Sequence, residues 1–346
     1  MDAPREIGLS VVLVTYNDRE IAAAAAAELS SQLREGDELV VLDNASHDGT
    51  ADAVAAAVPR ATVIRSAVNT GFAGGCNRAA EAATKELLLF LNPDTQPAPD
   101  FCDAIRRPLE DGRGWAAWQG LLTEDGGRTV NTAGNVIHFT GISWTGMSGA
   151  PVESVPPRPY EVAVVSGACL AIPRAEWERQ GGFPERFFMY CEDVDLSLRL
   201  RLGGGTLGIE PSARVDHLYD FDKGRVPKWE LLERNRWSVV LRTYPAALLA
   251  LTLPGLVLAE LALLAAAFAA GWGDQKLRAM AATLKGLPRT LRERRAIQAG
   301  RSVTAAEFAR TLTAELSSPY LGAVGRHRGV RLALRAYWAL VRAALR

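Results

Sequence analysis

Five consecutive apolar residues, Leu87-Leu88-Leu89-Phe90-Leu91, stop abruptly at Asn92-Pro93-Asp94-Thr95. A run that apolar, with no alternation, reads as a parallel strand buried on both faces. Its polar tip then falls at the carboxyl edge of a sheet, where open α/β folds bind their ligands. Asp94 offers a carboxylate to a hard cation, Asn92 offers an amide oxygen, and Pro93 stiffens the turn between them. The stretch reads as a site for a metal-bound diphosphate.

What precedes it supplies the rest of such a sheet. Strands are expected over 9–14, 38–42 and 61–65, each followed by a helical segment. The first of these is Ala-rich and reaches 33. The second starts at 51 behind a Ser46-His47-Asp48-Gly49-Thr50 loop able to cap it, and the third reaches 83 behind Asn69-Thr70-Gly71-Phe72-Ala73-Gly74-Gly75. Four repeats of strand and helix argue for right-handed βαβ units on one parallel sheet, an α/β fold. From 115 to 165 the texture changes to Gly, Thr, Ser and aromatics, so irregular or antiparallel structure is expected. Beyond it lie a strand over 162–173 interrupted at Ser166-Gly167 and a short helix from Pro173 to 180. A helix over 196–202 is stopped by three glycines, and two short strands follow at 206–209 and 214–215, the second ending at Asp216-His217.

Length fits two domains, expected at 1–245 and 246–346. Charge is balanced overall, with 39 Lys/Arg against 39 Asp/Glu, but after Gly273 there are fifteen basic residues against four acidic ones. The front part is correspondingly acidic, which argues against nucleic-acid binding. Cys76, Cys102, Cys169 and Cys191 form no Cys-x-x-Cys pair and read as reduced thiols, with no zinc or redox motif. Residues 1–8 have neither a basic region nor an apolar core, so no signal peptide is expected there. A dinucleotide-dependent oxidoreductase would need Gly-x-Gly-x-x-Gly directly after the first strand, where this chain has Thr15-Tyr16-Asn17-Asp18.

Four acidic or His positions fall at predicted strand ends or at a helix start: Asp43, Asp94, Asp193 and His217. Each has a plain reading: a turn or cap for Asp43, a helix-start charge for Asp193, a hydrogen-bonded structural histidine for His217. Asp94 stands out, because a carboxylate ending a fully apolar strand is aimed at a crevice. Together with their neighbours they form an ordered set: Val14-Thr15-Tyr16-Asn17, Val41-Leu42-Asp43-Asn44-Ala45-Ser46, Asn69-Thr70-Gly71-Phe72-Ala73-Gly74, Asn92-Pro93-Asp94 and Glu192-Asp193-Val194-Asp195. Over roughly residues 7–245 this set resembles the family 2 glycosyltransferases, and within them the bacterial rhamnosyltransferase-like branch.

The resemblance implies a GT-A fold, a nucleotide-sugar donor, Mg2+ or Mn2+, and inversion at the anomeric carbon. By the same resemblance Thr15 and Tyr16 would line the nucleotide pocket, and Asp43 would accept the imide hydrogen of uracil or thymine. Gly71 to Asn77 would admit the donor closely, Asp94 and His217 would hold the metal, and Asp193 would take the proton of the acceptor hydroxyl. Glu192 and Asp195 would support it, and the Ser166-Gly167-Ala168 turn would face the acceptor side. The first-choice donor is dTDP-rhamnose, with UDP-galactofuranose or another hexose behind it. A non-catalytic sugar-nucleotide-binding scaffold is the rival of a different class. The sequence departs from the family pattern at Asn92, where many members have aspartate, and at Cys76, where a second Asn is common.

Residues 246–272 are almost wholly apolar and long enough to span a bilayer, yet Pro254-Gly255 and Glu260 interrupt them and both flanks are basic. An interfacial or re-entrant helical pair is therefore expected rather than a crossing, with a buried helix of a soluble domain left open. Arg328, Arg331, Arg335, Arg342 and Arg346 fall on one helical face, while Leu334, Trp338, Val341 and Leu345 occupy another. Such a helix suits an anionic membrane surface, or else is the charged outer face of a packed helix. The expectation is a peripheral or monotopic protein at the cytoplasmic face of a bacterial plasma membrane, acting on a lipid-linked glycan acceptor.

Overall fold

The computed structural model describes residues 7–218, 226–317 and 327–346. Most of the segment expected to lack a leader, residues 1–6, lies outside them. The chain divides into two compact units, one drawn from Met1–Gly134, Gly146–Leu196 and Thr206–Asp220, the other from Asn135–Thr145, Ser197–Gly205 and Phe221–Arg346.

The first unit is a twisted sheet with helices. Its opening half follows the apolar pattern: β1 (Leu9–Thr15), α1 (Arg19–Gln32), β2 (Glu38–Asp43), α2 (Thr50–Ala57), β3 (Thr62–Arg65), α3 (Gly71–Ala82) and β4 (Leu87–Leu91). β1 pairs in parallel with β2 on one side and β4 on the other, and β2 with β3. The order therefore reverses at β1, and the loops after β1, β2 and β4 open at one edge, the switch point of such sheets. Every residue of β4 is buried, as a strand covered on both faces must be.

The sheet continues where irregular or antiparallel structure is expected, and antiparallel pairs are found there. After β5 (Thr95–Pro97) and α4 (Phe101–Glu110) come β6 (Trp115–Glu124) and β7 (Thr129–Thr132), and β6 is a ten-residue strand inside the sheet. In the second unit β8 (Asn135–Ile137) pairs with β9 (Ser143–Thr145). β10 (Tyr160–Glu161), β11 (Cys169–Pro173), α5 (Arg174–Gln180), α6 (Glu192–Leu202) and β12 (Thr206–His217) follow. Residues 162–168 fall outside β11, so the expected strand over 162–173 is only its second half. The two short strands expected at 206–209 and 214–215 are one strand, β12, whose register on β6 jumps between Glu210 and Arg214. Pro211 sits in that bulge, which is where a strand tolerates proline.

Direction settles what meets at the edge. β12 is parallel to β6, β6 antiparallel to β11, and β11 antiparallel to β4. The carboxyl end of β12 thus lies beside that of β4, together with the amino end of β11.

The second unit is mainly helical: α7 (Lys228–Thr243), α8 (Ala246–Ala269), α9 (Gly273–Ala299), α10 (Ala305–Ala309) and α11 (Arg328–Ala344). α8 is a single helix continuous through Pro254-Gly255, not a broken pair. The Tyr337 hydroxyl sits in its ladder, accepting from the Gly255 amide at 3.2 Å and donating to the Leu251 carbonyl at 2.7 Å. Those are two groups that an uninterrupted helix would pair with each other. Glu260, the one charge in α8, pairs with Arg236 at 2.5 Å and Lys276 at 2.7 Å, and Glu233 pairs with both bases. Two acids and two bases therefore close a neutral cluster in the unit's interior. α11 buries Trp338 and Val341, with Trp338 stacked on Phe139 at 5.2 Å, so its apolar stripe packs within its own unit while its arginines face outward.

Candidate active site

The Asp94 turn is built by hydrogen bonds that leave its carboxylate open. Asn92 donates its amide to the Ala168 carbonyl at 3.0 Å, the Thr95 hydroxyl donates to the Asn92 carbonyl at 2.7 Å, and Leu218 donates to the Asp94 carbonyl at 2.9 Å. β5 pairs antiparallel with the end of β12, setting Thr95 opposite His217. Residues more than a hundred positions apart thus meet, with His217 Nε2 3.2 Å from Asp94 Oδ1.

The neighbours of both side chains orient that contact. Asn131 on β7 donates through Nδ2 to Glu124 Oε2 at 3.2 Å, so its Oδ1 is the atom that faces His217 Nδ1 at 3.3 Å. With Nδ1 turned to that oxygen, Nε2 faces Asp94 Oδ1 and also lies 3.5 Å from Asn92 Nδ2. Asp94 Oδ1 is buried without a hydrogen-bond donor. An imidazole nitrogen and a carboxylate oxygen side by side are donors of the kind that bind a divalent cation. The 3.2 Å gap is that of two adjacent ligands on one octahedral ion, about 3 Å for bonds near 2.1 Å. Mixed nitrogen and oxygen donors suit Mn2+ at least as well as Mg2+. Among the described residues no group of three or more His, Cys, Asp or Glu side chains forms a metal cage.

Asp43 ends β2, buried, with Oδ2 accepting the Ser46 amide at 3.3 Å and Oδ1 buried without a partner. A carboxylate oxygen held that way awaits an N–H donor. Beside it Asn44 spans two loops, its Nδ2 donating to the Gly71 carbonyl at 2.9 Å and its Oδ1 accepting the Thr70 amide at 2.9 Å. Tyr16 is exposed at the same edge, while Thr15 is buried with its hydroxyl directed at the Leu42 carbonyl, 3.4 Å away.

Gly71 opens α3 at φ +73°, and a side chain there would lie 2.6 Å from the Phe188 ring. The Ala73 amide donates to the Phe188 carbonyl at 3.0 Å, so α3 and the segment before α6 are docked together. In that segment Phe188, Tyr190 and Cys191 all take positive φ, near +66°, +70° and +65°. Three such non-glycine residues within four positions are strain that only a surrounding framework maintains, and strain of this kind collects at functional sites. Asn77 does not join the site: its amide accepts from Phe183 N at 2.8 Å and donates to the Phe183 carbonyl at 2.9 Å, bracing the turn before α6.

That framework delivers Asp193. Its Oδ2 accepts the Gly167 amide at 3.0 Å and its Oδ1 the Val194 amide at 2.7 Å. Gly167 leaves room for it, since a Cβ there would already touch Asp193 and Phe72 at 3.4 Å. Gln119, wholly buried on β6, orders the same turn by accepting the Ser166 amide at 2.8 Å. Desolvation lifts Asp193 above the ordinary carboxylate range against the pull of the two amides. Glu192 is buried deeper, and desolvation followed by the charges of Asp193 and Asp195 raises it well above that range. Burial thus favours the protonated form of Glu192 more than that of Asp193, which is only partly buried and meets solvent. Asp195 is buried beneath them. Gly167 also connects the two carboxylate loops, because Ala168 beside it holds the Asp94 turn.

Sequence reading missed Asn131 and Gln119, and gave no role to Asn44 although it stands in the Asp43 motif. Each is a buried amide that orients another group, and no local pattern marks Asn131 or Gln119.

Comparison with known proteins agrees with this geometry. Residues 10–150 match the family described as Glycosyl transferase family 2. The N-acetylglucosaminyl-diphospho-decaprenol L-rhamnosyltransferase of Mycobacterium tuberculosis is 28% identical over 257 residues, covering 67% of this chain and 83% of its own. The rhamnosyltransferase WbbL of Escherichia coli is 32% identical over 94 residues, 25% of this chain and 34% of its own. Among solved structures, GalNAc-T7 with UDP, GalNAc and Mn2+ superposes with a TM-score of 0.57 at 16% identity, covering 71% of this chain and 50% of that one, which establishes the shared GT-A fold. Residues 10–150 therefore match a family 2 glycosyltransferase domain, the fold is GT-A, and the chain is similar to rhamnosyltransferases of that family.

Proposed function

We propose that the chain transfers rhamnose from dTDP-rhamnose, with inversion, to a hydroxyl of a lipid-linked or cell-envelope glycan at the cytoplasmic face of a bacterial membrane. A UDP-hexose such as UDP-galactofuranose is the second choice of donor. The observation that carries the reading is the pairing of Asp94 with His217, near where Asp43 ends β2 and Asp193 opens α6. The rhamnosyl choice and the lipid-linked acceptor are supported by the activities named for the relatives.

In this reading Asp43 Oδ1 accepts the imide N–H of thymine or uracil, a hydrogen that cytosine lacks. Asp94 and His217 hold a divalent ion against the donor's diphosphate. When bound, the ion neutralises charge growing on the leaving group without proton transfer. Gly71 is expected from the resemblance to admit the donor closely, but the room it leaves is taken by Phe188, so its part is to dock the Phe188 segment on α3. Asp193 removes the acceptor's proton as its oxygen attacks the anomeric carbon, and one displacement with one base inverts the centre. Glu192, when protonated, spares Asp193 a second negative charge.

The test is thermal unfolding with a set of nucleotide sugars, with and without Mn2+ or Mg2+. The cognate donor at a hundredfold excess over its Kd adds about 2.7 kcal/mol of stability, and only with the metal present. A profile indifferent to base, sugar and metal would sink the proposal.

A further inference from the structure

The two sides of α8 differ in what they touch. Leu248, Thr252, Leu256, Ala267 and the paired Glu260 face the interior of the helical unit. Leu253, Val257, Leu258, Leu261 and Phe268 form the opposite stripe and are exposed, Leu258 at 68% and Leu261 at 60%. The helix is long and apolar enough to cross a membrane, yet most of its apolar surface is uncovered. α9 carries an exposed row of its own, Leu277, Leu284 and Leu291, seven residues apart, among Arg278, Lys285 and Arg292.

We propose that α8 lies in the plane of an anionic bilayer, immersed along this stripe and not crossing it. The proposal rests on reading the chain as a transferase acting at a lipid surface, and it adds which helix enters and how.

Two observations choose the occupant. Residues 246–346 carry fifteen Lys/Arg against five Asp/Glu, so a second copy would set like charge against like charge, whereas acidic lipid headgroups complement it. Crossing is opposed by the inner face. Glu260 is tied to Arg236 of α7 and Lys276 of α9, and Trp237 donates to the same carboxylate at 2.9 Å. A helix passing through the bilayer alone would have to abandon that cluster and carry an unpaired carboxylate into hydrocarbon. Lying flat keeps every pair intact and sinks only the leucine side. α11 is not the inserting element, since its apolar stripe is already packed.

The experiment uses the full chain in flotation with phosphatidylcholine vesicles, with and without phosphatidylglycerol. Binding is expected only with the acidic lipid, and Leu258→Asp with Leu261→Asp should lower it about tenfold or more. Both positions are exposed, so the variant's unfolding temperature and its donor-dependent thermal shift should match the parent's. In cells, Ala247→Cys and Ala270→Cys, at the two ends of α8, should react with an impermeant maleimide in inverted membrane vesicles and not in spheroplasts, over the background of the native cysteines. Reaction of either end from outside means that the helix crosses and overturns the proposal. So does equal binding to neutral vesicles, or a dimer that the double substitution splits. A missing donor shift with vesicle binding intact would defeat the transferase reading and leave this one standing.

Discussion

Asp193 and His217 are each set by a partner lying far away in sequence. Asp193 owes its orientation to the Gly167 and Val194 amides, and burial beside it pushes Glu192 toward the protonated form. Replacing Asp193 with Asn removes the base and keeps the shape. Transfer should then fall by a factor on the order of 10² to 10⁴ while the donor-dependent thermal shift persists. Equal transfer by that variant would refute the assignment. For His217 the orienting partner is Asn131, and Asn131→Leu should weaken Mn2+ binding about 10- to 100-fold, read by titration of the ion with nucleotide present. Unchanged affinity would mean that the imidazole is held by other contacts. Asp94 could be read from sequence because an apolar strand points at it. Asn131 could not, since nothing near it in the chain announces that a histidine 86 residues later will need its oxygen.

At the scale of elements, the apolar runs of β1, β2 and β4 were legible because burial on both faces leaves an unmistakable pattern. β6 was not, since Trp115, Gln119, Gly120 and Thr123 break any period, and the strand exists because β11 and β12 flank it. β12 was read as two pieces because Pro211 marks a break, which the bulge against β6 accommodates. The β8 and β9 hairpin supplies a pH response. His138, just after β8, is buried with Nδ1 2.7 Å from the Thr140 hydroxyl, and desolvation brings its pKa down to about 4 against the opposing pull of Ala314 and Glu315. Its folded value lies below the unfolded one near 6.5, so the unfolded chain binds the extra proton between them. Stability contributed by neutral His138 is therefore complete above about pH 6.5 and is lost as pH falls toward 4, by roughly 3 kcal/mol at most. Melting curves across that window should show the loss, and His138→Leu should flatten it.

Over the whole molecule, charge and apolar surface are unevenly divided along the sequence. Residues 246–346 hold the excess of basic groups, and the chain as a whole is neutral only because the remainder is acidic by the same amount. That asymmetry was visible from composition. The fate of each apolar stripe was not, because α8 and α11 have equally plausible lipid-facing patterns, and only packing reveals that α11 spends its stripe on Phe139 while α8 keeps one side open. Raising ionic strength should accordingly weaken attachment to acidic vesicles, since screening acts on the exposed arginines and leaves the buried ion cluster untouched.

The hydroxyl of Tyr337 within the backbone of α8 bears on how the protein can be shortened. Trimming the last twenty residues looks like a harmless way to gain solubility, because they form a basic, outward-facing helix. It would instead withdraw the one group that bridges Leu251 and Gly255, in the middle of the most water-averse helix in the chain. Material so truncated should precipitate rather than disperse.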